Sequence, residues 1–259
     1  MNRTDKNLLM LIAVAVHFIA AHTATAAEWG SIKGRFVVDG QPPQLAPLVI
    51  DKDQFCIDNK PKNEKVVIGK DNGLVNAVVY AYVGRGSKIE IHPDYAELMK
   101  QPATLDNHFC SFKPRVVTLR TGQPLVIKNS DPPPVGHNTN AINLFNETIA
   151  AGEERTKTID KAAALPTPVK CGIHPFMQAH LLVQEHPYMA VSGEDGSFEI
   201  KNVPAGQQEY QFWHETGYLS AVKLSTGPTD RRGRAKLKVE PGKTLDLGEI
   251  KVPASLLKR

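Results

Sequence analysis

The sequence predicts an all-β protein built from β-sandwiches. Short runs in which apolar and polar residues alternate recur along the chain, and clusters of Gly, Pro, Asn and Asp separate them. This alternation is typical of strands that bury one face. Helical periodicity is confined to residues 95–100, which is enough for one or two turns. Many short strands at this spacing favour sandwich architecture over a helical fold.

Ten segments fit the strand pattern, and turn chemistry separates several of them. Asp39-Gly40 follows the first segment and suits a tight turn, Thr121-Gly122-Gln123 lies between the third and fourth, and Pro204-Ala205-Gly206 follows the seventh. In chain order, the predicted strands are 31–38, 76–83, 115–120, 124–129, 169–171, 179–184, 197–201, 210–214, 221–225 and 235–239.

The N-terminus predicts export from the cytoplasm. Arg3 and Lys6 give a positive start, residues 8–21 are mostly apolar, and Ala24-Thr25-Ala26 offers a small-x-small cleavage pattern. The apolar stretch is short for a membrane span, which needs about 20 residues. We therefore expect a signal peptide at 1–26 and a periplasmic or extracellular protein with no membrane span after cleavage. An uncleaved N-terminal anchor is the alternative.

Charge does not point to nucleic acid as a partner. The formal net charge is only +4, although basic residues gather between 231 and 238. We interpret this stretch as a solvated hairpin, and the alternative is a docking patch for an acidic partner.

One loop carries most of the chemistry of the chain, namely Cys171-Gly172-Ile173-His174-Pro175-Phe176-Met177. A thiolate and an imidazole with a weak axial thioether are ligands of a blue copper site, which also needs a second imidazole. His137, in the upstream pair His137-Asn138, can supply it. Zinc sites also use Cys-x-x-His spacing. The added Met and the upstream His nevertheless favour copper.

The three cysteines pose an odd-number problem for an exported protein. The metal hypothesis accounts for Cys171. This leaves Cys56 and Cys110 as a disulfide pair in an oxidising compartment. Two separate buried thiols are the alternative.

The segment 112–183 resembles the cupredoxins, and among them the amicyanin group, whose ligand loop also has the pattern Cys-x-x-His-Pro-Phe-Met. The resemblance implies a Greek-key β-sandwich that holds one type 1 copper through His137, Cys171, His174 and Met177. Two features depart from that pattern. Gly172 stands where the group has Thr, so Asn138 can reach only backbone there, and residues 132–136 form an insertion before the first ligand.

The two ends of the chain resemble the opening and closing halves of carboxypeptidase regulatory-like domains, which are transthyretin-like β-sandwiches. The resemblance rests on residues 30–40 and 74–80, and on Gly193-Glu194-Asp195-Gly196 with the strands that follow it. We therefore divide the chain into a signal peptide at 1–26, an N-terminal β segment at 27–100, a cupredoxin domain at 101–187 and a regulatory-like β segment at 188–259. Insertion of the cupredoxin into the second sandwich is the hypothesis, and a tandem order is the alternative.

The resemblance implies a blue copper protein that carries single electrons between redox partners, through an exposed edge of His174, and that is not an enzyme. A periplasmic dehydrogenase or a cytochrome is the expected kind of partner. A copper oxidase or nitrite reductase would need further copper sites, typically with His-x-His pairs, and the sequence has none. The remaining alternative is a non-catalytic periplasmic or surface binding module whose copper site is vestigial or serves binding only.

Overall fold

The computed structural model describes residues 29–258. Within this range the protein consists of strands with two short α-helices and two single-turn 3-10 helices, so the predicted all-β class is confirmed. No helix in these residues is long and apolar enough to cross a membrane. The expected signal peptide lies outside the described residues.

The elements have the following bounds. The strands are β1 (Trp29–Asp39), β2 (Val78–Ala81), β3 (Ala103–His108), β4 (Ser111–Lys113), β5 (Val116–Arg120), β6 (Pro124–Asn129), β7 (His137–Ala141), β8 (Phe145–Ile149), β9 (Glu154–Thr158), β10 (Thr167–Lys170), β11 (Gln178–Gln184), β12 (Met189–Val191), β13 (Ser197–Pro204), β14 (Gly206–His214), β15 (Gly217–Tyr218), β16 (Lys223–Leu224), β17 (Gly227–Pro228), β18 (Arg234–Val239) and β19 (Thr244–Pro253). The α-helices are α1 (Gln54–Asn59) and α2 (Tyr95–Leu98).

Strands from both ends of the described chain form one sandwich. In its first sheet, β1 pairs antiparallel with β13 and parallel with β19. In its second sheet, β2 lies between β12 and β14, and β14 also pairs with β15 and β18. Buried aromatic side chains such as Phe36, Tyr210 and Phe212 fill the space between the sheets. The strands of this sandwich, which we call the outer sandwich, therefore come from both sides of the segment between β2 and β12.

The strands between β2 and β12 form two further sheets with a core of their own. One has the order β5-β11-β10-β7-β8, and the other has the order β4-β3-β6-β9. Leu105, Ile127 and Leu181 are fully buried in this core, and Cys171 and Met177 belong to the same cluster. The predicted metal ligands therefore lie at the edge of the inserted sandwich's core.

A small third core joins the two sandwiches. It contains Val78 and Trp213 from the outer sandwich and Val116 and Leu182 from the inserted one. The hydroxyl of Tyr80, also in this core, donates a hydrogen bond to the carbonyl of Ala164 at 2.8 Å. Apolar burial of this kind favours a fixed contact between the two units.

The predicted strands and the helix at 95–100 correspond to observed elements, with bounds that coincide for β6 and shift by a few residues elsewhere. Several strands were not predicted because the residues on their buried faces are polar or because most of their residues are exposed. In β7, for example, the buried positions are His137, Thr139 and Ala141. The strands that were not predicted are β3, β4, β7, β8, β9, β12, β15, β17 and β19. Helix α1 was not predicted either.

Candidate metal centre

The predicted ligand loop closes on itself between β10 and β11. The amide of Met177 donates to the carbonyl of His174 at 2.9 Å, and the amide of Cys171 donates to the carbonyl of Met177 at 3.3 Å. The amide of His174 donates to Sγ of Cys171 at 3.3 Å. The strands β10 and β11 on either side, together with these hydrogen bonds within the loop, fix the positions of the loop's side chains.

The structure brings His137, Cys171 and His174 together. Their potential ligand atoms all lie within 4.8 Å of one another, and all three residues are buried. Nδ1 of His137 lies 3.1 Å from Nδ1 of His174, which in turn lies 3.7 Å from Sγ of Cys171. His137 comes from the start of β7, which pairs with β10 directly before the loop. Sheet pairing therefore joins the two ligand segments.

Met177, the fourth predicted ligand, ends the same loop. Its side chain is buried in the core cluster that also contains Cys171. Its backbone is bonded to both Cys171 and His174, as described above. Met177 therefore lies in the same loop and the same core cluster as Cys171.

Each of the two histidines is bonded to a carboxylate on the side away from the cysteine. Nε2 of His137 lies 2.7 Å from Oδ2 of Asp131, and Nε2 of His174 lies 2.6 Å from Oδ2 of Asp53. An ionised carboxylate accepts from Nε2–H, which leaves the Nδ1 lone pair free to bind a metal. Carboxylate partners of this kind fix the ring orientation and the tautomer of metal-binding histidines.

The cysteine is disposed to ionise. Burial would raise the pKa of Cys171, but hydrogen bonds with His137 and His174 and from the amides of Asn138 and His174 lower it to about 6. A thiolate is the form that binds metals. The group is therefore ready to act as a ligand near neutral pH.

The histidine pKa values shift in the complementary direction. Burial would lower the pKa of His137, but Asp131 and Cys171 raise it to about 9. Burial likewise opposes the net rise in the pKa of His174, which Cys171 and Asp53 cause. In the metal-free protein, the neighbouring thiol and carboxylates thus favour the protonated form of both imidazoles.

The carboxylate of Asp131 is held by backbone amides of the turn after β3, for which the sequence predicts no role. The amides of Phe109 and Cys110 donate to its two carboxylate oxygens. Asn129 accepts from the amide of Asp131 at 3.0 Å and donates to the carbonyl of Val135 at 2.9 Å. These bonds span the insertion at 132–136 and position the chain as it enters His137.

Cys56 and Cys110 form a disulfide beside the ligands. Sγ of Cys56 lies 3.8 Å from Nε2 of His174. Cys171 is the free cysteine of the described chain. Cys110 also lies near Asp131 and His137, but as a disulfide it supplies no thiolate for a metal.

The expectation of an exposed His174 edge is wrong. His174 has no exposed surface, whereas the side chain of Asp53 is 38% exposed. The ring of Phe176 lies 5.6 Å from that of His174, so the predicted rim is present. The residues that cover Nε2 come from α1 and the residue before it, more than a hundred positions earlier in the chain.

Asn138 bridges the two ligand segments through backbone, as expected with glycine after the cysteine. Its side-chain Oδ1 accepts from the backbone amide of Gly172 at 3.1 Å, and its backbone amide donates to Sγ of Cys171 at 3.3 Å. Its Nδ2 donates to Oδ1 of Asn146 at 2.7 Å, which orients the side chain.

The donor set fits copper. Two imidazoles and a thiolate, with a thioether in the same loop, match the trigonal set with a weak axial ligand of blue copper sites. Structural zinc sites instead use four strong tetrahedral ligands. His137, Cys171 and His174 would hold the ion, and the thioether of Met177, in the same loop, would be available as a further weak donor. Within residues 29–258, no other histidine belongs to a cluster of three or more His, Cys, Asp or Glu side chains that could share a metal ion.

Comparison with protein-family models gives no match, and comparison with curated proteins gives none either. Solved structures similar to part of this chain include amicyanins, a purple cupredoxin and a copper-containing nitrite reductase. A Cu-containing nitrite reductase (NirK) from Thermus scotoductus SA-01 is 23% identical over 40% of this chain and 25% of its own, with a TM-score of 0.30. The match thus spans a quarter of the reductase.

Two smaller proteins match over most of their own length. A purple cupredoxin from Nitrosopumilus maritimus is 18% identical over 32% of this chain and 99% of its own, with a TM-score of 0.28. Amicyanin from Paracoccus versutus is 16% identical over 32% and 82% respectively, with a TM-score of 0.29. At these scores the function has to be inferred from the residues of the site.

Two contacts of the site were missed from the sequence. Asp131 stands in the segment that precedes His137, so its nearness to a ligand gave a signal that could have been used. Asp53 gave none, because it lies 121 positions from His174 and precedes a short helix that was not predicted.

Proposed function

We propose that this protein is an exported carrier of single electrons that binds one type 1 copper through His137, Cys171, His174 and Met177, and that it is not an enzyme. One observation carries the proposal. Two Nδ1 atoms and a thiol of lowered pKa converge in a buried site, and carboxylates hold both imidazoles with Nδ1 facing inward. The disulfide supports an oxidising compartment.

A bound copper ion would supply a one-electron couple between its two oxidation states. The residues supply the rest. The sheets and the loop hydrogen bonds hold the donors in nearly fixed positions, which limits rearrangement when the charge changes. The apolar core around Cys171 and Met177 excludes water from the thiolate. The expected partners are a periplasmic dehydrogenase or a cytochrome that gives up or accepts one electron at a time.

A second candidate is a module that binds copper without carrying electrons. The complete burial of His174 favours it, because no ligand ring reaches the surface there. The two functions differ in how fast the bound metal exchanges electrons. Stopped-flow mixing of the Cu(II) form with ascorbate, and of the Cu(I) form with ferricyanide, would separate them, since a carrier must react rapidly in both directions.

Titration of the purified metal-free protein with Cu(II) tests the copper assignment. An intense blue colour should saturate at one copper per chain, because a thiolate donates charge to Cu(II) in such sites. Cys171→Ser should abolish the colour, and His92→Ala, a histidine outside the site, should keep it. A colourless wild type with one bound copper would refute the assignment.

A further inference from the structure

A short segment from outside the inserted sandwich covers the metal centre. It comprises residues 51–59, which include Asp53 and α1, and we call it the cap. Asp53 contacts Nε2 of His174 at 2.6 Å, and Cys56 approaches the same atom at 3.8 Å. Both contacts fall on the imidazole edge that the sequence predicts to be exposed.

The conformation of Asp53 favours this contact over the ordinary role of its position. Asp53 is the N-cap residue of α1, where an aspartate normally accepts from helix amides and stabilises the helix. Here its side chain makes no such cap bond, and its φ of 56° lies in the left-handed region. Strained backbone of this kind is concentrated at functional sites. The carboxylate is directed to His174 instead.

The disulfide fixes the cap in this position. Cys56 lies in α1, and its partner Cys110 belongs to the turn whose amides bind Asp131. Asp131 in turn binds His137. A covalent link therefore joins the two carboxylate supports of the two histidines.

We propose that Asp53 is a positioning residue for the metal ligand His174, and that the disulfide-held cap sets the potential of the centre and shields it. The proposal rests on the copper function above. An acceptor at Nε2–H makes an imidazole a stronger donor at Nδ1. Stronger donation favours Cu(II), so Asp53 lowers the reduction potential.

The metal-free protein provides the first test. Diethylpyrocarbonate, which modifies accessible imidazole nitrogens, should leave His174 unmodified in the wild type and modify it in Asp53→Ala, as read by peptide mass spectrometry. Asp58→Ala is the matched control, because Asp58 lies in the same helix but bonds to Gln54 at 2.8 Å. A protected His174 in Asp53→Ala would overturn the proposal that Asp53 shields the centre.

The copper-bound protein provides the second test. Voltammetry should show the reduction potential rising from wild type to Asp53→Asn to Asp53→Ala, because Asn keeps a neutral acceptor and Ala keeps none. Copper affinity should fall about 10- to 100-fold in Asp53→Ala, and Asp58→Ala should match the wild type. Circular dichroism spectra identical to the wild type would show that the variants fold.

The two failures are distinguishable. A wild type that binds copper without blue colour refutes the electron-carrier function and with it the metal role of Asp53. A blue wild type whose potential is unchanged in both Asp53 variants leaves that function intact and refutes the positioning role alone.

Discussion

Arg115 and Glu215 form a two-pronged ion pair across the boundary between the two sandwiches. Nε and Nη2 of Arg115 donate to the two oxygens of Glu215 at 2.9 and 3.0 Å. The side chains are only 12% and 5% exposed. Nη1 of Arg115 also donates to the carbonyl of Gln178, the first residue after the ligand loop. The pair thus ties the outer sandwich to the strand that leaves the metal centre.

Removal of one partner of this pair should destabilise the protein strongly. Glu215→Ala leaves a buried guanidinium without its counter-charge, and loss of one member of a buried pair costs about 3–5 kcal/mol. Urea unfolding followed by circular dichroism measures the change. As a control, Glu97→Ala removes an exposed pair with Lys100 and should change stability by less than about 1 kcal/mol. Equal effects of the two substitutions would contradict the role of the buried pair.

The sequence predicts the parts of this fold whose chemistry is local. Cys171 and His174 lie in one loop with a recognisable ligand pattern, and β6 buries every second residue, including Leu125 and Ile127. It does not predict β9, which is largely exposed, because exposure removes the apolar alternation. Nor does it predict that Asp53 covers His174. That contact joins residues 121 positions apart and forms only in the tertiary structure, so no periodicity or motif in the sequence predicts it.

Three buried histidines should make the protein sensitive to mild acid. Burial lowers the pKa of His180 and of His186 to about 4, and that of His214 to about 3. The positive charge of Arg115 adds to the effect at His180 and His214, and Glu215 lies 3.5 Å from His180. In the unfolded chain, histidine has a pKa of about 6.5.

The sign of the effect follows from these differences. Well above pH 6.5 the three histidines are neutral in both states and do not change the free energy of unfolding. As the pH falls from about 6.5 to about 4, the unfolded chain binds protons that the folded chain does not, so stability decreases. Each histidine contributes a few kcal/mol, because one pKa unit equals about 1.4 kcal/mol.

Thermal unfolding between pH 8 and pH 4 measures this loss. His186→Phe should flatten the profile between pH 6.5 and 5, because it keeps a ring stacked on Tyr188 and removes the titrating group. Neither ring nitrogen of His186 has a hydrogen-bond partner in the described chain, so the substitution breaks no such bond there. A wild-type melting temperature that stays constant down to pH 4.5 would contradict the prediction.

Met177→Leu should keep copper bound and raise its reduction potential. The thioether is the weak axial donor of the proposed site, and its loss disfavours Cu(II). Leucine preserves the apolar volume in the core, so folding should be little affected. Voltammetry compares this variant with Met189→Leu, a methionine of β12 packed at the contact between the sandwiches. If both variants have the wild-type potential, Met177 is not a ligand.

Loss of the disulfide should lower stability by about 4 kcal/mol. The bridge joins residues 54 positions apart, and a closed loop of that length gives about this value in the chain-entropy model. The variant Cys56→Ser with Cys110→Ser, compared with the oxidised wild type in urea, measures the difference. Peptide mapping without reductant should identify the linked pair in the wild type. Two free thiols in that map would show that the bridge does not form.

Asn138→Ala should loosen the contact between the two ligand segments. It removes the acceptor for the amide of Gly172, and because this bond is exposed to water, its loss should cost only about 0.5–1.5 kcal/mol. The backbone amides of residues 138 and 174 still donate to Sγ of Cys171, so the thiolate keeps both bonds and the blue colour should persist. Copper affinity should fall about tenfold, as for other partners that orient ligands, and competition with a copper chelator measures it. Asn146→Ala is the matched control, because it removes the partner of Asn138 Nδ2 but leaves Oδ1 of Asn138 bonded to the amide of Gly172.

A Cβ added at Gly172 would lie 3.0 Å from Oδ1 of Asn138. Gly172→Ala should therefore press on the same contact and weaken copper binding in the same direction. Wild-type affinity in both Asn138→Ala and Gly172→Ala would show that Asn138 does not hold the ligand segments together.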